Sequence, residues 1–194
     1  MTPTEALIAL HEHWAKINTC PLKETATRAV FGVGNPNADV VFVGEAPGKK
    51  EDETGVPFVG AAGKFLDEML ESIGMARDDI YITNIVKYRP PNNRDPEPVE
   101  KDACRDWLHA ELALINPKLI VFLGRHSMND FFPTEKISDV HGKLLVKKFP
   151  HIATTHFLPL YHPAAALYNG GLRQELLYDF KKIALALKKI KDGH

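Results

Sequence analysis

Apolar residues along this chain follow two patterns, a three-to-four spacing and short continuous runs. At the N-terminus Leu7, Leu10, Trp14 and Ile17 share one stripe behind a threonine that can cap it, which predicts a helix over residues 4–18. Residues 39–43 (DVVFV) form an apolar run that stops at Gly44, as a buried strand does. Helical spacing returns over 61–73, where Phe65, Leu66, Met69, Leu70 and Ile73 recur before Gly74. A second strand is predicted at 80–83 and a third at 119–123, with a helix over 99–115 between them. A short helix follows at 127–132, then a weaker β-type region at 144–149. A fourth strand at 153–158 runs to a Leu160-Tyr161-His162-Pro163 corner, and a long helix closes the chain at 172–190. Strands alternating with helices predict one α/β domain over 1–194, a three-layer α/β/α arrangement around a mainly parallel four-stranded sheet.

Composition adds exclusions. Hydrophobic residues are 44% and charged residues 25% of 194, ordinary for a folded domain and wrong for disorder. The net charge of −1 means that a nucleic-acid partner has to be met by a local patch. One such patch is offered by the last helix, where six basic and three acidic residues lie between Arg173 and Asp192. A solvated helix face explains the same charges, and both readings stay open. No membrane partner is expected, because the uncharged run 152–172 carries two histidines, two prolines and a Gly-Gly pair. The first residues lack a basic segment ahead of an uncharged core, so no secretory signal is expected. Two cysteines, Cys20 and Cys104, fit a reducing compartment, and the expectation is a cytoplasmic monomer.

In an open parallel sheet, ligands bind outside the carboxyl ends of the strands. Three unusual segments sit at such ends here: Gly44-Glu45-Ala46-Pro47-Gly48, Asn84, and His162-Pro163-Ala164. A carboxylate, an amide and an imidazole therefore converge on one rim. The familiar short motifs do not apply. GEAPGKK has the wrong glycine spacing for a Walker loop and no Ser or Thr after its lysines. Gly32-Val33-Gly34 lacks a third glycine, Ser127 lies outside a nucleophile elbow, and the histidines show no metal-ligand spacing. The polar, proline-dense loop 90–98 has the character of a functional excursion.

Together these segments resemble the motifs of family 4 uracil-DNA glycosylases. Val43 to Gly48, followed by the run Glu51 to Gly63 (EDETGVPFVGAAG), resembles that family's first motif and uracil pocket. Ile82 to Lys87 with Arg89-Pro90-Pro91 is similar to its second block, and Leu123-Gly124 and His162-Pro163-Ala164 to its third and fourth. The resemblance implies uracil excision from DNA, leaving an abasic site without metal or nucleotide. It implies that His162 donates toward O2 of the leaving base, and that Glu45 acts on water or on the sugar cation. The Glu45-Ala46 backbone is expected to bond the pyrimidine, Asn84 to read it, Phe58 to stack on it and Glu51 to crowd C5 against thymine's methyl. Lys87, Arg89, Pro163, Ala164, Leu167 and Tyr168 are expected to meet DNA, the last two as wedge and backbone contact. Taken singly, Phe58 also reads as core, Glu51 as a solvated loop charge and Asn84 as a strand-end cap.

The chain departs from the family pattern in its cysteines. The family holds a [4Fe–4S] cluster on four of them, and the matching positions here are Ile17, Cys20, Tyr88 and Cys104. A cubane needs one ligand per iron, so the cluster is expected to be absent and the segment 1–28 to be its former seat. An apolar plug around Ile17 and Tyr88 is a simpler replacement than ligation by His11, His13 or His109. Tyr168 stands where the family often has arginine. The segment between Tyr88 and Ala103 holds no histidine for covalent capture of DNA, so turnover by water is expected. Two other functions compete: a non-catalytic DNA-binding or structural protein on this fold, and a glycosylase of broader deaminated bases such as hypoxanthine or xanthine.

Overall fold

The structure is a computed structural model, and it describes residues 1–193. Its centre is four parallel strands: β2 (Val40–Gly44), β3 (Tyr81–Asn84), β4 (Leu119–Leu123) and β6 (His156–Leu160). Two short antiparallel strands, β1 (Val33–Gly34) and β5 (Leu145–Val146), extend the sheet to six in the order β1-β3-β2-β4-β6-β5. The four predicted strands are thus present, and the sheet exceeds the expected four by its two edges. Each edge strand is two residues long; β5 lies in the weaker β-type region read at 144–149, whereas β1 is too short to leave an apolar pattern.

Side chains of one strand point alternately to the two faces, and both faces are covered. Val40, Phe42, Ile82, Val121 and Leu158 meet α3 (Ala61–Ser72), α7 (Pro163–Tyr168) and α8 (Gly171–Lys191). Val41, Val43, Tyr81, Ile120 and Phe122 meet α1 (Pro3–Ile17), α4 (Pro98–Ile115) and α5 (Arg125–Phe131). This is the expected α/β/α sandwich. Two further helical turns, α2 (Lys49–Thr54) and α6 (Ile137–Val140), lie in connections. Among the described residues, no helix is long and apolar enough to cross a membrane.

The sequence explains the boundaries. The cap of α1 is Thr2, whose hydroxyl accepts from Glu5 N while Glu5 returns a bond to Thr2 N. α4 begins with Pro98, where a missing N–H costs nothing, and ends at Asn116 in a left-handed turn. The fourth strand starts three residues later than predicted and contains Pro159. That proline is tolerated because β5 pairs only with His156 and Phe157. The Pro159 carbonyl accepts from Gly142 N at 2.8 Å instead, so its side of the strand faces a loop rather than a ladder.

Candidate active site

β2 and β3 run parallel with Gly44 opposite Asn84, while β4 departs on the other side of β2. Chain direction diverges at that point, which opens a crevice at the carboxyl edge. A cavity of about 510 Å³ occupies it, lined among others by Glu45, Ala46, Glu51, Phe58, Asn84 and His162. This volume suits a small ligand. Gly44 makes the close approach possible: a Cβ there would lie 2.4 Å from Asn84 Oδ1 and 2.6 Å from Phe58 Cζ.

Asn84 is 3% exposed, and its amide oxygen has no protein partner. A buried acceptor without a partner is costly, and the residue that carries it lines the cavity. Its backbone is fixed from beneath: Lys87 Nζ donates to Asn84 O at 3.0 Å and also binds Thr83 Oγ1 and Glu111. Tyr81 OH donates to Glu111 at 3.1 Å, and His11 bridges Tyr81 to Trp107 Nε1, each at 3.1 Å. Lys87 is therefore fully buried in an ion pair. This corrects its expected DNA contact: the ammonium cannot reach a phosphate, and its part is to hold Asn84.

Phe58 belongs to the core and to the cavity wall at once, 7% exposed and with its ring 5.7 Å from that of His162. Its φ of 54° lies in the left-handed region, where a phenylalanine is strained. Arg77 fixes this geometry by donating to the carbonyls of Pro57 at 3.2 Å, Phe58 at 2.5 Å and Gly63 at 3.2 Å. Glu51 supports the other side, where one carboxylate oxygen accepts from Val59 N and Gly60 N at 3.0 Å each. It is a loop brace that faces the cavity, not a solvated charge.

His162 caps α7: its Nδ1 accepts from Ala164 N at 3.0 Å. The neutral ring then carries its proton on Nε2, the free nitrogen. Burial pushes its pKa down to about 4, with His126 nearby adding to the effect. His162 is thus a neutral donor near pH 7. Glu45 is the opposite case, pushed up to about 7 by burial first and by the Asp95 carboxylate second. Ligand-type atoms of Glu45, Asp95 and His126 all lie within 4.8 Å of one another.

The remaining expected DNA contacts divide. Leu167 and Tyr168 project from the end of α7, 48% and 91% exposed. Arg89 is half-buried and donates to Asn93 Oδ1 at 2.7 Å within the proline-dense loop. Ala164 lines the cavity. Pro163 is buried as the first residue of α7, so it sets the helix rather than touching a ligand, which corrects its place among the contacts. Sequence reasoning missed Asp95, His126 and Arg77. Asp95 lay in a loop already marked as unusual, and His126 follows Gly124 at a strand end, whereas nothing in the pattern marks Arg77.

The positions matching cluster cysteines do not fit a four-iron group. Cys20, Tyr88 and Cys104 pack together with Trp107 in a buried patch. Cys20 Sγ donates to Glu100 O at 3.7 Å, and the neighbouring Cys104 thiol together with burial pushes the Cys20 thiol far up. Two thiols stand where four are needed. The histidines do not make up the difference: both nitrogens of His11 are engaged, and His109 stacks near His151. Ile17 is 51% exposed, so the expected plug is built by Tyr88 alone. The Tyr88 hydroxyl is buried without a partner, and its ring lies edge-on to Trp107 at 6.4 Å.

Comparison with known proteins places this geometry. Residues 31–186 match the family model of the Uracil DNA glycosylase superfamily. A type-4 uracil-DNA glycosylase of Archaeoglobus fulgidus is 52% identical over 84% of this chain and 84% of its own. That of Sulfurisphaera tokodaii is 48% identical over 92% and 84%, and that of Thermotoga maritima 40% over 97% and 98%. By these matches, this chain belongs to the uracil DNA glycosylase superfamily and to its type-4 family.

Proposed function

We propose that this protein hydrolyses the N-glycosidic bond of deoxyuridine in DNA, releasing uracil and leaving an abasic site. The observation that carries this reading is the unpartnered amide oxygen of Asn84, a buried residue that lines the cavity together with Phe58 and His162. Uracil presents a donor at N3 and an acceptor at O4, which an asparagine amide matches with one acceptor and one donor. The target base has to leave the stack to reach this depth, with Leu167 and Tyr168 as the exposed wedge, Ala164 on the cavity wall and Arg89 as a backbone contact. In the reaction C1′–N1 breaks and its electron pair leaves with uracil, while water supplies the new C1′–O bond. His162 Nε2–H stabilises the negative charge growing on O2, and the Glu45-Ala46 backbone adds to that stabilisation. Ionised Glu45 faces the sugar, where it stabilises positive charge and takes the proton from water. The substrate is single- or double-stranded DNA, and the protein works as a cytoplasmic monomer of one domain.

A single-site deoxyuridine oligonucleotide, incubated with the protein and then cleaved with alkali, tests this directly. Cleavage at that site is expected, and an intact strand at protein excess would sink the proposal. Hypoxanthine and xanthine oligonucleotides run alongside test the reading of a broader deaminated-base glycosylase. Arg77→Ala is expected to slow single-turnover uracil release about tenfold by loosening the Phe58 turn, since small misplacements of positioning groups are costly. Equal rates in a folded variant would show that Phe58 holds its place unaided.

We also propose that the enzyme works without an iron–sulfur cluster, on the strength of the two missing thiols. Replacing Cys20 and Cys104 together by serine is expected to cost ~1–3 kcal/mol of stability, because both thiols are buried. Uracil excision should be largely kept. Absorbance near 400 nm in anaerobically purified parent protein, with about four irons per chain, would refute the proposal.

A further inference from the structure

Two elements outside the motifs close on Glu45. Asp95 comes from the proline-dense loop, and His126 from the first turn of α5. His126 Nε2 lies 3.4 Å from an Asp95 oxygen and 3.8 Å from a Glu45 oxygen. Glu45 and His126 are mostly buried there, while Asp95 is 65% exposed. The loop is held in register from behind. Arg94 binds both oxygens of the buried Glu100, at 2.7 and 2.8 Å, and donates to Asp95 O at 3.0 Å. The backbone of Asp95 is therefore anchored to the start of α4, with its carboxylate against Glu45.

We infer that Asp95 and His126 are positioning residues for Glu45, holding it at the cavity wall and sharing one proton with it. The inference builds on the reading that Glu45 acts in its ionised form. Arg125 Nε donates to His126 Nε2 at 3.2 Å. In the neutral imidazole that bond puts the ring proton on Nδ1 and takes the lone pair of Nε2. Two carboxylates this close repel each other when both are charged. A single proton placed among Glu45, Asp95 and His126 relieves that repulsion. Lys101 of α4 and Arg125 of α5 are the cations facing this set, and His162 lies near His126. Burial and Asp95 raise Glu45, and burial lowers His126. Ionisable groups this close titrate as a unit.

The direction of each effect follows. Asp95 is a like charge that favours protonated Glu45, and His126 Nε2, 3.4 Å from the Asp95 carboxylate, keeps that charge in place. Removing either lets Glu45 ionise at lower pH. The test is the pH dependence of single-turnover uracil release by the full chain on a single-stranded oligonucleotide with one deoxyuridine, with DNA affinity measured alongside. In the parent, the rate should fall below about pH 7. In Asp95→Asn the acid limb is expected to move down by about one pH unit, raising the rate at pH 6 about fivefold relative to its own plateau. His126→Phe should move the limb in the same direction with little change in DNA affinity. The double variant should shift by less than the sum of the two, because the groups share one proton. A purely structural role would lower the plateau and leave the limb in place. Glu45→Gln is expected to abolish the limb, and a limb that survives it removes Glu45 as the titrating group and this inference with it. A limb that vanishes in Glu45→Gln yet stays put in both single variants, or shifts that simply add, overturns the inference alone.

Discussion

His162→Ala is expected to slow uracil release by about 10²-fold or more while leaving DNA affinity nearly unchanged. One preorganised donor aimed at a developing oxyanion is worth roughly 2.7–4 kcal/mol. The structure gives His162 the properties that such a donor needs. Its Nδ1 is occupied by Ala164 N, so the proton sits on Nε2, and burial keeps the ring neutral down to about pH 4. A neutral imidazole donates without titrating in the working range, so any acid limb near pH 7 belongs to Glu45 and should persist in the alanine variant. DNA affinity is set mainly by phosphate contacts, and His162 lies inside the cavity rather than at its mouth. Single-turnover rates and binding isotherms on one deoxyuridine oligonucleotide separate these effects. Parent-like rates in a folded variant would remove His162 from the mechanism.

The residues that carry the chemistry were legible because each follows a strand whose apolar run is unmistakable. Val40 to Val43, Ile80 to Ile82 and Leu119 to Leu123 are buried throughout, and such runs allow few alternatives once helices separate them. The rim assignment follows from that order alone. α7 was not legible, since Pro163-Ala164-Ala165-Ala166 offers too few apolar positions to show a period, and so the segment reads as a loop. The helix matters, because it makes His162 a cap and thereby selects its tautomer.

Side chains whose partners come from distant segments were the least legible. Lys87 follows Asn84 in a motif and reads as a surface cation, yet its partner Glu111 lies 24 residues away on α4. Only the packing of α4 against the sheet brings them together and turns a presumed phosphate contact into a buried support. Burying such a pair is costly unless every remaining donor is matched, and here Thr83 and the Asn84 carbonyl complete the ammonium's set. Ile17 failed for the converse reason. It fits the stripe of α1 but stands at the helix end, beyond the last contact with the core, and is half exposed.

Asn84→Asp tests what that buried support is for, and uracil excision is expected to fall by about 10³-fold or more. A site built around specific hydrogen bonds rejects a ligand that leaves its buried groups unpaired by factors of this size. The parent amide accepts from uracil N3–H and donates to O4. An ionised aspartate keeps the acceptor but sets a second negative oxygen against O4, in a pocket where Asn84 is 3% exposed and water cannot screen the repulsion. Cytosine carries an amino donor in place of O4, so trace cytosine release is the gain expected from the same change. The Lys87 ammonium at the Asn84 carbonyl favours the ionised form, which strengthens the effect at neutral pH. Below the aspartate's own titration a protonated carboxyl regains a donor, so part of the uracil activity should return in acid relative to the parent at the same pH. Circular dichroism and thermal melting establish that the variant is folded. Full uracil activity in folded Asn84→Asp at neutral pH would show that Asn84 does not face the base, and the pocket assignment would fall with it.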